Sequence, residues 1–188
     1  MKLTKYLKPE LVRLGVYLSS KKRALEVIGT MAADYLVQQS LALEDNLSAE
    51  ECFSCLCKRE KLGSTCINYG IAAPHTKFPN WQGEEPIAIF LQLENSIDYE
   101  TAENKEIDLI FAVIFPDQEN EEYKSDFQKI VTILNNKQLS KLLRTTKFVE
   151  DIWSVFDNAD VLLEQKNKEI EDNIQVTTEN NEQEQSEN

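Results

Sequence analysis

PIAIFLQLENSIDYETAENKEIDLIFAVIFP, residues 86–116, opens and closes on a short apolar run. PIAIFLQL (Pro86–Leu93) and IDLIFAVIF (Ile107–Phe115) are rich in Ile, Val and Phe and bounded by turn residues, which predicts buried strands. The polar interval between them predicts a loop, with a short extended piece at Ile97–Tyr99. Upstream lies STCINYGIAAPHTK (Ser64–Lys77), too broken by Gly70 and Pro74 for a helix. It predicts a short strand near Thr65–Asn68 and then a tight loop carrying His75.

Helical patterns lie on both sides of these strands. Ser19-Ser20 offers a cap to KKRALEVIGTMAADYL, which places Leu25, Ile28, Ala32 and Tyr35 or Leu36 on one face. Ser48 with Glu51 reads as a capping box; Cys52, Phe53, Leu56 and Cys55 form the apolar face, and Gly63 is the stop. After Pro116 the helical period returns. Phe127, Ile130, Val131 and Leu134 share a face, Leu139, Leu142 and Leu143 mark a shorter helix, and Phe148–Phe156 closes with Ile152, Val155 and Phe156 inward. Helices flanking a central group of strands predict an α/β fold, a three-layer α/β/α sandwich around a small mixed sheet.

The chain has 188 residues and 41% hydrophobic content, which suits one domain (1–163) plus a tail. Residues 164–188 are acidic and nearly free of apolar side chains, which predicts a disordered tail. A formal charge of -13 argues against nucleic acid and anionic lipid as partners and favours a basic protein. Charges and Pro9 interrupt the N-terminal MKLTKYLKPELVRLGVYL before an export signal can form, and no apolar stretch approaches the roughly 20 residues of a membrane span. The expectation is a cytoplasmic protein without membrane insertion.

Two segments carry chemistry: KREKLGST (Lys58–Thr65) and GIAAPH (Gly70–His75). His75 is the only histidine. Its neutral imidazole is a competent nucleophile near pH 7, because its unperturbed pKa is about 6.5. Phosphoryl transfer needs one aimed ring nitrogen and donors for three equatorial oxygens. Arg59 offers a guanidinium fork, Ser64 and Thr65 offer hydroxyls or amides, and Lys77 adds charge nearby. The plain alternatives are a loop histidine, a solvated helix-end arginine favoured by the dipole, and Ser64-Thr65 merely opening a strand. Residue types alone leave the site a candidate.

LSSKKRALEVIGTMAAD, KREKLGST, GIAAPHTK, IDY and IDLIFAVIFP, followed by the closing helices, recur in an order and spacing that resemble the enzyme IIA domain of the fructose/mannitol and nitrogen type of the bacterial phosphotransferase system. The resemblance is nearest to the stand-alone nitrogen-related members and covers roughly the first 160 residues. It implies that His75 is the phosphoacceptor and that Arg59, Ser64 and Thr65 belong to the phosphate pocket. It also implies a phosphotransferase relay without a cofactor, a donor that is HPr or its nitrogen-branch relative, and regulatory target proteins. An alternative implied by the same resemblance is a binding module whose docking depends on the phosphorylation of His75. One departure concerns a second family histidine, whose position counted from Pro116 falls on Tyr123.

Cys52, Cys55, Cys57 and Cys66, with His75, invite a zinc reading. Three of them fall inside a capped helix that would have to unwind to gather thiolates, so reduced, metal-free cysteines are expected. A hydrolase built on Ser64 or Thr65 lacks a G-x-S-x-G elbow.

Overall fold

The computed structural model describes residues 2–39, 47–159 and 161. The tail expected from residue 164 lies outside the described residues. Strand β1 (Leu7–Val16) is followed by α1 (Lys21–Gln38) and α2 (Ala49–Leu62), then by β2 (Ile71–Ala72), β3 (His75–Lys77), β4 (Ile87–Asp98) and β5 (Glu106–Phe115). Helices α3 (Glu121–Leu134), α4 (Lys137–Thr145) and α5 (Val149–Asp157) close the described chain.

The sheet order is β1-β4-β5-β2, with β3 continuing the β2 edge along β5. β4 and β5 are antiparallel, while β1 runs parallel to β4, and β2 and β3 run parallel to β5. The sheet is therefore mixed. Its two central strands alternate with period 2 between two cores. Ile87, Ile89, Leu91, Ile110, Ala112 and Ile114 face α1 and α2. Ala88, Phe90, Leu109, Phe111 and Val113 face α3, α4 and α5. A strand buried on both faces has no polar side, which is why these stretches read as continuous apolar runs. The expected three-layer α/β/α sandwich is the fold.

Local signals set the helix starts. Ser20 Oγ accepts from the Arg23 amide at 3.1 Å and Ser48 Oγ from the Glu51 amide at 3.4 Å, each satisfying a free first-turn donor. Asn120 and Asn136 cap α3 and α4 in the same way. Cys52 is fully buried between α2 and its neighbours, and all four cysteines are free thiols. Burial pushes the Cys52 thiol up to about 12. Among the described residues, no group of three or more His, Cys, Asp and Glu side chains could hold a metal ion, and no helix is long and apolar enough to cross a membrane.

Several expectations need correction. The strand expected at Thr65–Asn68 shrinks to a single bridge, Cys66 opposite Ala72, because Tyr69 and Gly70 turn the chain with φ of 61° and 73° directly afterwards. His75 does not sit in a free loop. It opens β3, in register with Val113. The loop expected after Leu93 is shorter, since β4 continues through Ile97 to Asp98. Leu142 lies on the exposed side of α4, while Leu139 and Leu143 point inward.

Candidate functional site

His75 stands on the sheet edge, where the two helical layers can both reach it. Arg59 arrives from α2 on one side and Phe127 from α3 on the other. The Phe127 ring lies with its centroid 4.1 Å from the imidazole, tilted by 45°. Sequence reading placed Phe127 on a core face and gave no hint of this contact. Only the pairing of β3 with β5 brings the two segments together.

Both ring nitrogens have defined partners. Nδ1 lies 3.0 Å from the carbonyl oxygen of Ala73, and a carbonyl can only accept, so Nδ1 carries the proton. Nε2 then presents its lone pair, and the Arg59 Nε–H donates to it at 3.1 Å. The same guanidinium donates through Nη1 to the Gly63 carbonyl at 2.8 Å. Burial holds the His75 pKa below its ordinary 6.5; the Ala73 contact opposes the shift, the Arg59 charge adds to it, and Glu60 opposes it. The resting imidazole is therefore neutral at pH 7, with one nucleophilic nitrogen facing a cation.

The remaining expected residues fall in different places. Ser64 is exposed at the rim, its Oγ accepting from the Cys66 amide at 3.1 Å. Thr65 is buried, and its hydroxyl donates to Glu60 while lying 3.1 Å from the Tyr99 hydroxyl. The Thr65 carbonyl accepts from the Ala73 amide at 2.9 Å, which joins the KREKLGST segment to the GIAAPH segment. Lys77 is occupied by an ion pair with Glu119. Tyr123 sits in the first turn of α3, where its hydroxyl donates to the Glu84 carbonyl and its ring stacks on Phe115 at 6.3 Å. Phe115 in turn meets Phe127. A run of ring contacts thus links Tyr123 to His75 through Phe115 and Phe127.

The turn before the histidine is clamped from outside. Arg144 of α4 grips Asp108 through Nε and Nη2 at 2.7 and 2.8 Å, and its Nη2 also donates to the Tyr69 carbonyl. A Cβ on Gly70 would lie 2.6 Å from that Nη2, at a φ of 73° that disfavours side chains, so glycine is favoured here.

Comparison with known proteins places the chain in a family. A family model described as the EIIA 2 component of the phosphoenolpyruvate-dependent sugar phosphotransferase system matches residues 5–159. A nitrogen regulatory protein homolog of Haemophilus influenzae is 40% identical over 160 residues, covering 85% of this chain and 93% of that protein. The crystal structure of the nitrogen regulatory protein IIA-Ntr from Neisseria meningitidis superposes with a TM-score of 0.69 at 23% identity, covering 82% of this chain and 98% of that one. The Escherichia coli mannitol enzyme IIA, solved in complex with its phosphorylated enzyme IIB, superposes with a TM-score of 0.60 at 18% identity, covering 80% and 97%.

Proposed function

This chain belongs to the EIIA 2 family of the phosphoenolpyruvate-dependent sugar phosphotransferase system, and from that premise we propose that Nε2 of His75 accepts a phosphoryl group from a phosphocarrier protein of the HPr or nitrogen-branch type. One observation carries the proposal: a neutral ring whose Nδ1–H is tied to Ala73 and whose Nε2 lone pair faces Arg59. Phosphoryl transfer asks the acceptor for an aimed lone pair and a nearby cation.

In the step, the Nε2 lone pair forms the new N–P bond while the bond from phosphorus to the donor breaks, its electron pair leaving with the donor. No proton has to move, because Nδ1 already carries one. Arg59 Nε releases Nε2 and turns to the equatorial oxygens, with Nη1 still held by Gly63. Ser64 at the rim offers a further donor. Thr65 acts on the backbone behind the ring rather than on phosphate. The cell compartment for such a relay is the cytoplasm, and no step needs a cofactor.

The family members named above as nitrogen regulatory proteins favour a second reading of the same event. Here the phosphorylated His75 governs which target protein docks, and onward transfer is slight. A pull-down with phosphorylated and unphosphorylated chain separates relay from gate.

Incubation with a phosphorylated HPr-type donor should yield one acid-labile, alkali-stable phosphate per chain. The pH dependence follows from the lowered pKa. A folded imidazole whose pKa lies below 6.5 is more than half neutral at pH 6.5, so the acid limb of the rate should be centred below 6.5. The unfolded ring takes its proton first, so this group makes folding less favourable as pH falls through that window. Absence of a labile phosphate, or an acid limb centred above 6.5, would count against the proposal.

A further inference from the structure

Behind His75, hydrogen bonds joined through the backbone of Ala73 and Thr65 lead to a buried carboxylate. His75 Nδ1 donates to the Ala73 carbonyl, the Ala73 amide donates to the Thr65 carbonyl at 2.9 Å, and the Thr65 hydroxyl donates to Glu60 Oε1. The Thr65 amide also points at Glu60 Oε2, at 3.4 Å. Tyr99 adds its hydroxyl, 3.2 Å from Glu60 Oε1 and 3.1 Å from Thr65 Oγ1. Burial, with the Glu60 charge behind it, pushes the Tyr99 phenol well above its ordinary range, so it stays a donor.

A carboxylate in this position calls for a countercharge. The Glu60 side chain is 5% exposed and pairs with Lys21 Nζ at 3.0 Å, itself only 12% exposed. The Lys21 ammonium also lies over the Tyr99 ring at 4.6 Å. Lys21 is the first residue of α1, whose first turn carries no acid, so the helix dipole disfavours it there. A buried ion pair is weak support for stability by itself, since desolvation of both charges offsets much of their attraction. What this pair does hold is geometry.

We propose that Glu60 is a positioning residue for phosphoryl transfer: through Thr65 and Ala73 it fixes the orientation and tautomer of the His75 ring. The inference rests on the reading of His75 as acceptor. Consecutive residues of α2 then divide the work. Arg59 faces Nε2, and Glu60 controls Nδ1 from behind. The Glu60 carboxylate touches no reacting atom and is not a catalytic residue.

The test uses the full chain in three variants: Glu60→Gln paired with Lys21→Met so that no lysine is left buried and unpaired, Thr65→Val, and Thr65→Ser. Two readouts are taken. The first is single-turnover transfer from a phosphorylated HPr-type donor, separated into a limiting rate and a half-saturating donor concentration. The second is the His75 tautomer ratio, read from labelled ring nitrogens by NMR without any donor. The paired Glu60 variant and Thr65→Val should lower the limiting rate about tenfold or more with the half-saturating donor concentration nearly unchanged, because a displaced nucleophile costs rate, not docking. Both should show mixed tautomers, and Thr65→Ser should restore both readouts. A Thr65→Val protein with the wild-type limiting rate and a single tautomer would overturn the inference, even if it melted earlier. If wild type accepted no phosphoryl group at all, the reading of His75 would fall, while the tautomer readout would still decide the role of Glu60.

Discussion

His75→Ala should abolish acceptance of the phosphoryl group while leaving the fold intact. The ring is the only imidazole in 188 residues, so no second histidine can take over. Its loss removes the Phe127 contact and the hydrogen bonds to Ala73 and Arg59 at a partly exposed sheet edge, and takes nothing from either buried core. Melting temperature should therefore change little, and circular dichroism should match wild type. Labelling with a phosphorylated donor, quenched in alkali, measures the outcome. Labelling of the variant at the wild-type level would place the acceptor elsewhere.

Arg59→Ala should slow transfer by about 10²-fold or more. Its guanidinium sits 3.1 Å from the nucleophilic nitrogen, where charge develops on the transferring oxygens. Losing a preorganised donor at such a point costs roughly that factor. The Gly63 carbonyl it now ties is exposed and can turn to water, so the stability change should be small. Arg59→Lys should recover part of the rate, since an ammonium brings charge without the planar fork that spans Nε2 and Gly63. Rapid-quench kinetics on both variants read this directly. Wild-type rates in two folded variants would reduce Arg59 to a helix-end charge.

The helices and central strands were legible because their signals are local. Ser20 and Ser48 cap as expected, and Ile87–Leu91 and Leu109–Ile114 alternate between two cores while reading as unbroken apolar runs. β1 was not legible. Lys8, Pro9, Glu10 and Arg13 interrupt its pattern, and its pairing with β4 is broken by register shifts after Leu7 and Arg13. An edge strand tolerates a proline and charged side chains because one of its sides faces no partner.

The site divides along the same line. His75 and Arg59 were found from motif and residue type, and they do meet. Glu60, Lys21, Tyr99 and Phe127 were not singled out, because their relevance depends on contacts made across the fold. Lys21 and Glu60 are 39 positions apart and come from different helices, and Phe127 reaches His75 across the sheet edge. Thr65 was found for a different reason than the one its surroundings support: its hydroxyl is committed to Glu60. Tyr123, at the position of the second family histidine, is linked to His75 through ring contacts with Phe115 and Phe127 that sequence does not reveal.

The central claim is that Nε2 of His75 is the atom that takes the phosphoryl group. NMR of the chain with isotope-labelled histidine ring nitrogens, before and after incubation with a phosphorylated HPr-type donor, tests it most directly. Before transfer, Nδ1 should carry the proton and Nε2 should be bare at pH 7, with Nε2 half-protonated only below pH 6.5. After transfer, phosphorus coupling should appear on Nε2 alone, with the proton retained on Nδ1 and donated to the Ala73 carbonyl. Coupling to Nδ1, or a labile phosphate on the chain with no phosphorus on the ring, would contradict the account.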